Sequence, residues 1–90
     1  MNIESIDYMV SFDGGFMEFR LSMETDRYLI FKSKEPIRFR DLKKWFGVKR
    51  IGNLEAFLTM EFIPKLKALV LCDQVFTRKN GFVEFWYRKD

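Results

Sequence analysis

The sequence has no histidine, one cysteine and two prolines in 90 residues, and each scarcity closes off a class of function. Histidine titrates nearest neutral pH, so its absence removes the commonest general acid, general base and imidazole metal ligand. Cys72 alone can neither form an internal disulfide nor anchor a metal cluster, and its place between Leu71 and Asp73 reads as a buried structural thiol. No apolar run approaches the ~20 residues of a membrane-spanning helix, so no membrane partner is expected. Early acids and the lack of a basic region at residues 1–7 argue against a signal peptide. These scarcities imply a cytoplasmic, reducing setting and a binding protein rather than an enzyme, with no cofactor, metal or small-molecule substrate. Asp13-Gly14-Gly15 lacks the Lys-Ser/Thr of a phosphate-cradling loop, so its glycines are read as a turn.

What is abundant is apolar and aromatic surface. The composition is 48% apolar, with 11 Phe, 2 Trp and 3 Tyr, enough for one core in a chain this short. The expected fold is a single α+β domain over residues 1–90: an N-terminal three-stranded antiparallel meander, two or three short helices, and a C-terminal β-hairpin.

Alternation carries the strand assignments. Ile6, Tyr8, Val10 and Phe12 alternate with polar or flexible residues, as do Met17, Phe19, Leu21 and Met23. A two-residue turn at Gly14-Gly15, both in left-handed conformation, would put all eight on one face. A third strand, Arg27 to Ser33, has three consecutive apolar residues and suits burial on both faces. Phe39, Leu42, Trp45 and Phe46 recur at helical spacing, with Gly47 as C-cap. A second helix is expected to start at Asn53 and to break or kink at Pro64; residues 66–72 are open between helix and strand. Asn80-Gly81 predicts a second two-residue hairpin turn, pairing Phe76 with Phe85 inward and leaving Val75, Thr77, Lys79, Phe82, Glu84, Trp86 and Arg88 outward. The phrase Gly15-Phe16-Met17-Glu18-Phe19 returns as Gly81-Phe82-Val83-Glu84-Phe85, which points Met17, Phe19, Val83 and Phe85 inward.

Two surfaces are candidates for function. The net charge of +3 conceals an asymmetry: Arg38, Arg40, Lys43, Lys44, Lys49 and Arg50 fall in a short segment that holds Asp41 as its one acid. Such a cluster attracts phosphates with little demand on sequence. The outer face of the last hairpin sets Phe82 and Trp86 among Lys79 and Arg88, the interleaving by which single strands are stacked and held, and also the composition of protein hot spots. The expected partner is DNA or RNA; the alternative is a protein partner or homodimer, recruited through hairpin edges and surplus aromatics. The element order over residues 36–90 is loosely similar to a winged helix. Against that arrangement, residues 53–63, where a recognition helix would lie, carry no Arg or Lys.

Overall fold

In the computed structural model, which describes residues 7–90, five strands join one antiparallel sheet in the order β1-β2-β3-β5-β4. They are β1 (Asp7–Phe12), β2 (Gly15–Glu24), β3 (Tyr28–Ser33), β4 (Gln74–Thr77) and β5 (Val83–Arg88). Helix α1 (Phe39–Phe46) follows β3, and a second helical element, α2, covers residues 54–70. The α+β assignment holds. The C-terminal hairpin is no detached wing, because β5 pairs with β3 through Ile30–Trp86 and Phe31–Phe85.

The helices lie on one sheet face. Val10, Phe12, Met17, Phe19, Phe31, Val83 and Phe85 point toward them and meet Leu42, Phe62, Leu66 and Val70. Phe85 is fully buried at the centre, its ring 4.8 Å from Phe19, 4.9 Å from Phe31 and 5.5 Å from Tyr8. The repeated phrase thus does the same work twice: Met17, Phe19, Val83 and Phe85 are all buried.

The first hairpin has a two-residue turn, but its central residues are Asp13-Gly14, with Phe12 opposite Gly15 and Val10 opposite Met17. The shift from the expected register is two residues, so the side chains from Tyr8 to Leu21 stay on their expected faces. The glycines serve a different purpose from the one expected. Neither takes a left-handed φ; among the described glycines only Gly47 and Gly81 do. Instead the turn presses against α1: a Cβ on Gly14 would run into the Lys44 carbonyl oxygen, and one on Gly15 would sit 2.7 Å from the Trp45 indole. That close approach lets Phe12 stack on Trp45, centroids 5.4 Å apart and rings 16° from parallel.

Met23 does not join the core. The β2–β3 ladder changes register between Leu21 and Met23, and this bulge turns Met23 to the opposite face, opposite Ile30 and 57% exposed. Ile6 lies outside the described residues.

The last hairpin departs by one residue, with larger consequences. Gly81 N–H donates to the Arg78 carbonyl, Arg78 N–H donates to the Phe82 carbonyl, and Gly81 takes φ +90°. This is a three-residue loop closed by a left-handed glycine. Val75 therefore faces Phe85, Thr77 faces Val83, and Phe76 turns outward opposite Glu84. The expected Phe76–Phe85 pair is corrected accordingly.

Helix α2 starts as expected, with the Asn53 side chain accepting the Ala56 N–H at 2.9 Å. Pro64 does not break it. Ahead of the proline, Leu58–Phe62 widens into a π turn in which Ile63 N–H reaches Leu58, five residues back. Such a turn makes room for the ring and the missing donor of Pro64. The helix then runs on through Ile63–Val70 and ends at Leu71, whose φ is +61°. Residues 66–70 are thus helix. Among the described residues no helix is long and apolar enough to cross a membrane.

Candidate functional site

The antiparallel order places the β1–β2 turn, the end of β3 and the β4–β5 loop at the same end of the sheet. Helix α1 runs between them. Ile37 N–H donates to the Gly81 carbonyl at 2.8 Å, and a Cβ on Gly81 would lie 3.0 Å from Pro36, so the β4–β5 loop is stitched to the entry of α1. The other end of α1 rests on Gly14 and Gly15. Leu42, Trp45 and Phe46 face the core, which leaves Arg40, Lys43 and Lys44 on the side turned away from it. Gly47 closes the helix with φ +65°, and Lys49 and Arg50 follow in an exposed loop.

The charges at this end are not compensated. Among the described residues, none of Arg38, Arg40, Lys43, Lys44, Lys49 and Arg50 makes an ion pair. Elsewhere among the described residues half of the cations are paired, and Arg27, Lys32, Lys65, Lys67 and Lys79 are not. Arg20 and Lys34 reach Asp7, Lys34 also reaches Glu18, Arg78 forks onto Glu84, Arg88 meets Asp73, and Lys89 meets Glu24. Part of the basic cluster is explained by helix electrostatics, since Lys43 and Lys44 occupy the last turn of α1 and Asp41 the first. That account does not extend to Arg38, Arg40, Lys49 or Arg50.

The two halves of the expected site fall on different faces. Phe82, Trp86 and Arg88 stand on the sheet face that the helices leave open, whereas α1 lies over the other. Trp86 is half-buried between Tyr28 and Phe76, with centroids at 5.4 and 5.3 Å, and its indole N–H points to Glu84 at 3.4 Å. Arg78 lies 5.1 Å over Phe76, Arg88 lies 5.6 Å over Tyr28, and Lys32 lies 4.7 Å over Phe82. Rings and cations on this face engage one another, and Ile30 is buried beneath them. Lys79 does not stand with them. It sits in the β4–β5 loop and borders the same cavity as Arg38, about 330 Å³ in volume, between α1, the start of α2 and the hairpin loop.

The Arg78–Glu84 fork has a titration consequence. Two hydrogen bonds from Arg78, at 2.9 and 3.4 Å, hold the Glu84 carboxyl below its ordinary value near 4.5, against the opposing effect of burial. A carboxyl that titrates lower when folded stabilises the fold above the ordinary carboxylate range, and that contribution vanishes as pH falls through the lowered value. Glu84→Gln is therefore expected to cost up to about 1 kcal/mol near neutral pH, the scale of a solvent-screened pair. Urea midpoints of the two proteins should draw together as the buffer is acidified below the carboxylate range.

One functional candidate escaped sequence reasoning. Phe39 keeps helical spacing with Leu42 and Phe46, yet it is 49% exposed at the first helical position, between Arg38 and Arg40. The signal was the alternation Arg38-Phe39-Arg40 itself, which mimics the cation–aromatic interleaving recognised in the hairpin. Cys72 is buried, donates to the Gln74 carbonyl at 3.6 Å, and has its pKa pushed up by burial, the state of an unreactive thiol. Among the described residues no cluster of three acids, histidines or cysteines is arranged to hold a metal. No protein-family model, curated protein or solved structure matches the chain.

Proposed function

We propose that the protein is a small binding module whose α1 end takes a nucleic-acid backbone. The observation that carries this reading is the concentration of unpaired charge: six cations on α1 and its flanks all lack ion-pair partners among the described residues, while Arg20, Lys34, Arg78, Arg88 and Lys89 on and around the sheet are paired. Each unpaired lysine or arginine that neutralises a phosphate releases cations condensed on the nucleic acid to solution. Arg40, Lys43 and Lys44 would lie along the phosphates, with Arg38, Lys49 and Arg50 extending the contact at either end.

The test is a salt titration of binding to fluorescent DNA and RNA. With six phosphate contacts to a single strand, log affinity should fall against log salt with a slope of about −4, at ~0.7 per contact. Changing Arg40, Lys43 and Lys44 together to Gln should flatten that slope by about 2. A slope near zero, or one unmoved by the triple substitution, rejects the assignment.

The sheet face favours a second reading, protein association. Met9, Phe16 and Met23 are more than half exposed there, and β1 is an edge strand of six residues. A mass measurement in the same buffers separates the two: association should strengthen with salt, and nucleic-acid binding should weaken.

A further inference from the structure

We infer that the nucleic acid taken by this surface is single-stranded, and that one unstacked base enters the groove beside Phe39. The inference rests on the reading of α1 as a phosphate-binding surface and adds the substrate class. The groove has an apolar floor, formed by Ile37, Phe39, Leu54 and Leu58, and a rim that carries Arg38 and Lys79. No acidic residue lines it. Its volume, about 330 Å³, lies at the lower end of the ~300–1,000 Å³ of small-ligand sites, a size for one planar ring system rather than a folded segment.

An apolar slot with cations on its lip matches a nucleotide, whose base has a sequence-independent π-face and whose phosphate carries the charge. Phe39 supplies the stacking surface; Arg40, with Lys43 one turn further on, continues the path for the backbone. A duplex cannot use this slot, because its base faces are already stacked. Nor does the fold present a groove-reading helix: α1 has eight residues, and the cations of α2 are confined to Lys65 and Lys67, past Pro64. The competing cavity at the other end of α1 fits less well. Glu18, Glu35 and Asp41 line it against Lys34 and Lys44, and this excess of acid disfavours phosphate. On the open sheet face, Tyr28, Trp86 and Phe76 already pack on one another.

The experiment uses a labelled oligothymidylate of about 10 nucleotides, within the ~4–16 spanned by comparable sites, and a duplex of the same length. The wild-type protein should prefer the single strand by at least about tenfold, and Phe39→Ala should lose roughly five- to a hundredfold in affinity for it. The salt slope should stay unchanged, because no charge is removed. Phe39→Trp, which keeps a ring, should bind like wild type. A single 2-aminopurine in the strand should change its fluorescence on binding wild-type protein, a readout that needs no variant to fold.

Equal affinity for duplex and single strand, or a Phe39→Ala protein that folds and binds as wild type does, overturns the inference while leaving the phosphate surface standing. Wild-type protein that binds neither form removes both. An acidic apolar peptide that binds in a Phe39-dependent way, beside an oligonucleotide that ignores Phe39, assigns the groove to a protein partner and also overturns it.

Discussion

Phe85→Ala should cost about 3–5 kcal/mol, the largest single effect expected in the domain. Phe85 is fully buried, touches the rings of Tyr8, Phe19 and Phe31, and sits on the strand that joins the C-terminal hairpin to the meander. Truncation therefore removes transfer free energy and leaves a void walled by three rigid rings from three other strands, which cannot collapse independently. A domain of this length has a total stability of roughly 4–13 kcal/mol at ~0.05–0.15 kcal/mol per residue. The variant should be largely unfolded at low urea, and Phe85→Leu, which fills most of the void, should lose markedly less. A Phe85→Ala midpoint close to wild type would show that the core is not centred there.

Gly14→Ala tests the contact that positions α1. Neither glycine of the first turn needs a left-handed φ, so chain entropy alone predicts that alanine stabilises by about 0.4–1 kcal/mol. The Lys44 carbonyl reverses that sign. The obstacle is backbone, which cannot swing aside like a side chain, so the hairpin must lift from the helix. The expected result is a loss of about 1–3 kcal/mol. In a Trp86→Phe background, Trp45 emission should shift to the red as its stack on Phe12 opens. Gly15→Ala meets only the edge of the indole and should be milder. Stabilisation by Gly14→Ala would mean that the turn and α1 are not in contact.

Much of this architecture is legible from alternation and spacing. Met17, Phe19, Val83 and Phe85 point inward as their pattern requires, Asn53 caps α2, and Gly47 ends α1. Departures arise where a local signal competes with something distant. Asn80-Gly81 favours a two-residue turn, but Gly81 instead closes a three-residue loop held by Ile37 from outside the hairpin, and one added residue exchanges the faces of β4. Met23 keeps perfect alternation, and a bulge overrides it. For the candidate site, the basic cluster is evident from composition, whereas its lack of acidic partners is a property of tertiary placement. Trp86 and the basic helix are close enough in sequence character to suggest one surface; only strand order reveals that the sheet separates them.

The π turn ahead of Pro64 settles how the long helix keeps one apolar stripe on the core. Leu58, Phe62, Leu66 and Val70, all packed in the core, recur every fourth residue. On a uniform α-helix such a stripe winds about 40° around the axis at each step, so its two ends would diverge by about 120°. One widened turn lets the spiral fall back by about the angle of a residue, ~100°, and restores a common bearing. A spacing of four that persists through a proline is thus itself a written instruction for local unwinding.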